Sequence, residues 1–208
     1  MIKKIKLGVL ISGSGNTLQN FIDQIEQGKL IATIQVAISS KPDVVGLDRA
    51  RKHGIPTAIV PYSNYKNVDA FSQAITAELD KHPIDLITLA GFVHFYKIPE
   101  KYKGKVMNIH PGLIPAFCGH NYYGKKVHDA VINYGAKVSG CTVHFADNVY
   151  DNGPIIIQRT VPVLEDDTPR SLAARVFREE CEAYPEALRL FAAGRLKIEG
   201  RKVRILNS

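Results

Sequence analysis

The sequence predicts an α/β protein with a doubly wound, mostly parallel sheet, helices on both faces and a C-terminal hairpin. Short apolar runs alternate with amphipathic segments over residues 5–91, as in strands joined by crossover helices. The apolar runs contain few polar positions, as expected for strands that are buried on both faces. A glycine turn also separates the first apolar run from the first amphipathic segment.

The first half of the chain predicts a Rossmann-like order of elements. Residues 5–11 form an apolar run that indicates a buried strand, and residues 12–17 follow as the glycine turn. Leu18, Phe21 and Ile25 then recur at helical spacing. The same two patterns repeat and predict strands at 31–38, 57–60 and 85–91, and helices at 44–53 and 67–81. The resulting order, βαβαβαβ, is that of a nucleotide-binding half.

The turn at residues 12–17 favours an anion-binding loop. Its backbone N–H groups can converge on an anion at the positive end of the following helix, with Asn16 or Thr17 as the predicted N-cap. The turn lacks the third glycine of a dinucleotide fingerprint and the GK[ST] of a P-loop. A bare tight turn therefore remains the alternative, although the flanking strand and helix favour phosphate binding.

The second half continues the alternation of strands and helices. Thr168 and Pro169 predict the start of a long helix, as N-cap and first residue, that continues past Pro185 with a kink there. The other predicted elements are strands at 105–109, 137–146 and 155–161, a helix at 123–134 and a hairpin at 196–205. No linker or repeat is evident, so we expect a single domain over residues 1–208. It would comprise a half at about 1–104 that contains the glycine turn at residues 12–17 and a second half at about 105–208.

Composition narrows the class of partner. The net charge is +7 over 208 residues, and the basic residues are scattered among acidic ones. This pattern favours small anionic substrates over nucleic acid. The three cysteines are far apart, and no metal-ligand spacing is present, so we expect neither a disulfide framework nor a metal site. No apolar run is long enough for a bilayer, which predicts a cytoplasmic protein without a membrane partner, either a monomer or a homodimer.

Asn108 and His110 are the first candidate catalytic residues. They lie two positions apart at the end of a predicted buried strand, so both side chains point to one face. A pair of polar residues that merely satisfies turn groups is the alternative. Asp151 follows a later strand, and a carboxylate beside a histidine raises the histidine pKa. An amide, an imidazole and a carboxylate suit transfer of an acyl-type carbon to an amine, with Asn108 and a protonated His110 stabilising the oxyanion.

Other aromatic and histidine residues remain open to two interpretations. The aromatic stretch at residues 92–96 could form a wall for a flat heterocycle, or it could be ordinary core packing. His120 and His128 lack a carboxylate at ligand spacing, which favours solvated or capping roles. His144 is expected on the same strand face as Thr142.

Several motifs in one order resemble the folate-dependent formyltransferases. The resemblance rests chiefly on NIHPGLIP at 108–115, SGCTVHF at 139–145 and DNGPIIIQ at 151–158. It extends to 10–15, 89–92 and 180–185, and so covers nearly the whole chain. The resemblance implies transfer of a formyl group from 10-formyltetrahydrofolate to the amine of a phosphoribosylglycinamide in purine biosynthesis. The reaction would need neither a metal nor a covalent enzyme intermediate.

The resemblance also implies roles for individual residues. Asn108, His110 and Asp151 match the family's catalytic residues, with His110 as proton donor, Asp151 raising its pKa, and His144 nearby. The residues matched to binding of the ribonucleotide substrate are Gly15, Asn16, Thr17 and Glu180. The residues matched to binding of the formyl folate are Lys66, Val93, His94, Phe95, Tyr96 and Asn108. Asn16-Thr17 and His94 depart from the usual family pattern, which commonly has Ser-Asn and arginine there.

Two other classes of function remain open at this point. A related formyltransferase or hydrolase would use the same formyl donor with a different acceptor, such as methionyl-tRNA, an amino sugar or water. A sensing module would bind a nucleotide or folate through the glycine turn without catalysis. A dehydrogenase is disfavoured because no acidic residue suits a ribose at the end of the second strand.

Overall fold

The computed structural model describes residues 3–207, so the ends of the predicted domain, residues 1, 2 and 208, lie outside it. Two compact units divide between Met107 and Asn108. This boundary falls close to the predicted division between halves at 104 and 105. A single domain over the whole chain stays a prediction.

Four complete parallel strands lie within the described residues of the first unit. These are β1 (Ile5–Ile11), β2 (Ala32–Ser39), β3 (Thr57–Ile59) and β4 (Leu86–Leu89). Their order is β3-β2-β1-β4, with parallel pairing throughout. The chain moves outward from β1 to β3 and then returns to β4 on the other side of β1. The loops after β1 and β4 therefore flank a topological switch point, where open α/β sheets bind their ligands.

Three helices connect these strands, as the periodicity predicts. They are α1 (Asn16–Glu26), α2 (Val45–Lys52) and α3 (Val68–Leu79). The apolar stripe of α1 is fully buried at Leu18 and Phe21. Asn67 caps α3 by accepting a hydrogen bond from the Ala70 N–H. The predicted cap of α1 was wrong, because Gly15, in the left-handed region at φ 68°, occupies the N-cap position.

The second unit is built around a mixed set of strands. Its elements are the end of β5 (Val106–His110), α4 (Lys125–Tyr134), β6 (Val138–Phe145), β7 (Ile155–Pro162), α5 (Pro169–Ala192), β8 (Leu196–Glu199) and β9 (Lys202–Ile205). β6 pairs antiparallel with β7, and β8 with β9 forms the predicted C-terminal hairpin. The α5 helix packs on β6 and β7. Thr168 caps α5 as predicted, and Pro185 lies inside it.

The predicted α/β class, with a mostly parallel sheet, is confirmed. Parallel pairing is uniform in the first unit and occurs again between β7 and β9. All the predicted helices and strands are present, with ends that differ by a few residues. Across residues 3–207, no helix combines the length and apolar character that crossing a bilayer requires.

Candidate active site

Four polar side chains meet in the second unit, at the ends of β5 and β6. Asn108 and His110 extend from β5, His144 lies near the end of β6, and Asp151 lies in the loop that follows. The Asp151 carboxylate approaches the rings of His110 and His144 and accepts a hydrogen bond from Asn108. The amide, imidazole and carboxylate that the sequence predicts as catalytic residues are therefore brought together by the fold.

His110 is buried between two hydrogen-bond acceptors. Its ring is 2% exposed, Nε2 donates to the Phe117 carbonyl at 2.9 Å, and Nδ1 lies 3.5 Å from Asp151 Oδ2. Burial lowers the pKa of His110, while Asp151 and the Phe117 carbonyl act in the opposite direction. Asp151 therefore acts on the pKa of His110 in the expected direction, while desolvation of the imidazolium is the larger effect and makes the net shift downward.

Asp151 is fixed by its backbone as well as by its partners. Its φ of 48° is in the left-handed region, which Asp and Asn tolerate better than most residues. Oδ2 accepts the Gly119 N–H at 2.9 Å, and Oδ1 accepts Asn108 Nδ2 at 3.3 Å. The loop at residues 117–119 therefore contacts both His110 and Asp151 through its main chain.

His144 determines how the Asn108 amide is oriented. Because a carbonyl only accepts, the 3.0 Å contact with the Phe145 oxygen places the His144 proton on Nδ1. Nε2 then accepts from Asn108 Nδ2 at 3.1 Å. Burial lowers the pKa of His144, which favours this neutral tautomer. The two N–H groups of Asn108 thus point to His144 and Asp151. Donation to an oxyanion requires one of these bonds to be exchanged.

The glycine turn in the first unit has the geometry of an anion-binding loop. Gly15 adopts φ 68° and precedes α1, and no side chain among the described residues caps this helix. The N–H groups of the first helical turn, including those of Asn16 and Thr17, point out of the helix end as donors. This arrangement is compatible with the phosphate-binding role expected of Gly15, Asn16 and Thr17.

Ser12 links the loops around the switch point. Its hydroxyl is 2.6 Å from the Ser40 hydroxyl after β2 and accepts the Val93 N–H after β4 at 3.1 Å. Ser12 itself is 6% exposed and follows β1 directly. One buried hydroxyl therefore connects the chain segments that follow three neighbouring strands.

We expect Ser12→Ala to lower the free energy of unfolding by about 1–2 kcal/mol, because the partly buried Val93 N–H loses its acceptor. Urea unfolding measures the change. The control is Ser63→Ala, since Ser63 is exposed and its hydroxyl donates to the side chain of its neighbour Asn64, and its effect should stay within about 0.5 kcal/mol. Equal stability of the two variants would contradict the linking role of Ser12.

The residues expected to bind folate differ in the burial and the contacts of their side chains. His94 stacks on Tyr62 with ring centroids 4.4 Å apart, and burial together with Lys41 lowers its pKa. Tyr96 is buried, and its hydroxyl lies 2.9 Å from that of Thr76. Half-buried residues 93 and 95 flank His94, and residue 66 is an exposed lysine. The aromatic segment thus combines core packing at Tyr96 with partly accessible side chains at Val93, His94 and Phe95.

Glu180 lies on α5 as a half-buried carboxyl. Burial raises its pKa to about 7. Among the described residues, no side chain or N–H group pairs with Glu180 by a hydrogen bond or an ion pair. Such a carboxyl is a strong acceptor for a ligand hydroxyl once it ionises.

Cys118 and Cys141 do not suit nucleophilic catalysis, and His120 and His128 differ in exposure. Burial raises the pKa of Cys141 to about 12 and also raises that of Cys118, so both thiols stay protonated at neutral pH. His120 is exposed, as expected, but His128 is buried at 4% exposure. The expected solvated or capping role for His128 was wrong, because it lies on the inward face of α4 beside Val127.

Comparison with known proteins identifies related sequences and structures. A family model described as formyl transferase matches residues 5–188. Phosphoribosylglycinamide formyltransferase of Haemophilus influenzae is 36% identical, with 93% of this chain and 90% of that protein covered. The trifunctional purine biosynthetic protein adenosine-3 of Bos taurus is 42% identical over 94% of this chain. The chain spans about a fifth of the length of that relative, 19%.

Solved structures agree with these matches. The crystal structure of glycinamide ribonucleotide transformylase 1 from Symbiobacterium toebii has a TM-score of 0.91 and 43% identity. The alignment covers 98% of this chain and 94% of that one.

Proposed function

The chain belongs to the formyl transferase family, and we propose that it formylates phosphoribosylglycinamide with 10-formyltetrahydrofolate as donor. The products would be the N-formyl ribonucleotide and tetrahydrofolate, in de novo synthesis of the purine nucleotide IMP. One observation supports this most directly: Asn108 and the buried His110, at the end of β5, both contact the half-buried Asp151. The similarity to phosphoribosylglycinamide formyltransferase of Haemophilus influenzae over most of both chains supports the choice of acceptor.

The reaction balances without an enzyme-bound intermediate. The acceptor amine attacks the formyl carbon, a C–N bond forms, and the formyl oxygen gains negative charge. The bond from carbon to the folate nitrogen then breaks. The proton lost by the attacking amine reaches that nitrogen, so the products are a formamide and a secondary amine.

Asn108 and His110 would both act on the formyl oxygen, and Asp151 would act on His110. The negative charge that develops on the formyl oxygen favours a protonated His110, which can donate to that oxygen once its Nε2–H is exchanged from the Phe117 carbonyl. Asp151 stabilises the imidazolium, because its Oδ2 already faces Nδ1. Asn108 supplies a second donor when one of its N–H groups turns from His144 or Asp151 to the oxyanion.

Binding roles are proposed for residues of both units. Gly15, Asn16 and Thr17 would bind the ribonucleotide phosphate through backbone N–H groups, and the Glu180 carboxylate would accept from the ribonucleotide. The residues proposed to contact the folate are Lys66, Val93, His94, Phe95 and Tyr96. The cytoplasmic location and the state of monomer or homodimer stay predictions.

A panel of acceptors tests the proposed function. Purified protein with 10-formyltetrahydrofolate is given phosphoribosylglycinamide, methionyl-tRNA, an amino sugar or no acceptor, and tetrahydrofolate formation is followed spectrophotometrically. We expect rapid turnover with phosphoribosylglycinamide and not with the other acceptors. The formamide product should be detected by mass spectrometry. Turnover without an acceptor would instead indicate a hydrolase, and turnover with another acceptor would indicate a different formyltransferase.

Glu180→Gln should separate the stability of the fold from substrate binding. The folded pKa of about 7 lies above the ordinary value of 4.5, so wild-type protein loses stability as pH rises between these values. We expect the stability of the variant not to fall in this pH range. Above about pH 7 the variant should therefore melt at a higher temperature than wild type. Its KM for the ribonucleotide should rise, because glutamine replaces a charged acceptor.

Thermal unfolding at several pH values measures this difference. Glu182→Gln is the matched control, since Glu182 is exposed on the same helix, and it should melt like wild type at every pH. A melting difference for Glu180→Gln that does not change with pH would contradict the raised pKa.

A further inference from the structure

Arg49, on α2, donates hydrogen bonds from all three guanidinium nitrogens to the glycine turn and the start of α1. Nε donates to the Ser14 carbonyl at 2.9 Å, one terminal nitrogen donates to Gln19 Oε1 at 3.2 Å, and the other lies 3.4 Å from Asn16 Oδ1. Each of these acceptors is neutral and belongs to the turn or to the first residues of α1. The side chain is half-buried, so its position is fixed rather than free in solvent.

The charge of Arg49 has no carboxylate partner among residues 3–207. Asp48, its neighbour on α2, pairs with Arg51 instead. Asp23 accepts a hydrogen bond from Gln19 and so connects with Arg49 only through that amide. A guanidinium that is held by neutral acceptors keeps its full positive charge available to an anion.

Close contact between α2 and the turn explains this position. A Cβ added at Gly15 would lie 2.5 Å from the Gly46 Cα, and the Gly46 N–H donates to the Gly13 carbonyl at 3.1 Å. Arg49 follows Gly46 by three residues and therefore lies on the same side of α2. Glycine at both contact points allows the helix to approach until the guanidinium reaches the turn.

We propose that Arg49 makes the glycine turn selective for a phosphate dianion. This inference rests on the proposed function, in which the turn binds the phosphate of the ribonucleotide. The N-terminus of α1 offers only the partial charge of a helix end. Arg49 adds a whole charge next to the turn, and two of its three hydrogen bonds hold Ser14 and Asn16 in place. It acts as a specificity-determining residue, while Asn108, His110 and Asp151 perform the chemistry.

The test compares two acceptors that differ only in the phosphate: phosphoribosylglycinamide and the nucleoside that lacks it. We expect Arg49→Gln to raise KM for the phosphorylated acceptor by about tenfold. The KM for the nucleoside and both kcat values should stay within about twofold of wild type. Arg49→Lys should recover much of the loss, because it restores the charge. The KM of Arg49→Gln for the phosphorylated acceptor should also depend less on salt than that of wild type.

Arg51→Gln is the matched control, since Arg51 lies on the same helix but pairs with Asp48. It should leave both KM values unchanged. Equal losses for the two acceptors in Arg49→Gln, or equal effects of the Arg49 and Arg51 variants, would overturn the proposal.

Failure of the proposed function would be recognised separately. If wild-type protein does not formylate the ribonucleotide, calorimetric titration with ribose 5-phosphate still tests Arg49. Binding by wild type that weakens about tenfold in Arg49→Gln and not in Arg51→Gln would support the role of Arg49. Equal binding by all three proteins would refute it.

Discussion

His110→Ala is expected to lower kcat by about a hundredfold or more, in the range of losing an acid–base group. His110 is the one ring whose two nitrogens face the Asp151 carboxylate and the Phe117 carbonyl together, among the described residues. Alanine removes both the donor for the formyl oxygen and the charge that Asp151 stabilises. Because the ring would act after the substrates bind, both KM values should change far less than kcat. Steady-state formyl transfer with saturating folate measures the effect.

Two further variants show whether the loss of activity comes from the missing imidazole or from damage to the fold. His110→Gln keeps a polar side chain at the end of β5 and should lose activity to a similar extent, which separates chemistry from a cavity in the fold. His53→Ala is the control, because His53 lies on the other unit and pairs with Glu26, and it should keep wild-type kcat. Near-normal turnover of a folded His110→Ala protein would remove His110 from the proposed mechanism.

The sequence could predict the strand-end residues because they depend on local periodicity. Asn108 and His110 occupy alternate positions of a short apolar strand, and the period of two places them on one face. Asp151 lies beyond two further elements, and composition or spacing alone cannot bring it to His110. The resemblance to a family supplied that pairing, and the observed 3.5 Å approach of Asp151 to the ring agrees with it.

Features that depend on burial and on long-range packing could not be predicted in this way. The lowered pKa of His110 follows from the depth at which the ring lies, which no local pattern encodes. His128 has the sequence surroundings of an exposed helix residue, yet α4 turns it inward. Arg49 contacts the turn only because Gly15 and Gly46 permit two helices to approach. Two glycines thirty or so positions apart gave no recognisable signal for such a contact.

Asp151→Asn is expected to lower kcat by about a hundredfold or more while the loop keeps its shape. Asparagine is nearly isosteric and tolerates the left-handed backbone at this position, and its oxygen can still accept the Gly119 N–H. The variant loses the negative charge facing His110 Nδ1, and it also loses the acceptor that Oδ1 offers to Asn108 Nδ2. Since that charge acts to raise the pKa of His110, its removal lowers the pKa further and reduces the protonated fraction at any pH above it.

The pH profile distinguishes this electrostatic role from a structural one. The protonated fraction of His110 in Asp151→Asn rises as pH falls. The ratio of wild-type kcat to Asp151→Asn kcat should therefore shrink toward acid pH. Asp147→Asn is the control in the same loop, because the Asp147 carboxylate accepts hydrogen bonds from the Val149 N–H and the Asn152 side chain. The kcat of this variant should stay within a few-fold of wild type. A loss in Asp151→Asn that is constant from about pH 5 to 9 would mean that Asp151 only shapes the loop, and the proposed charge on His110 would need another source.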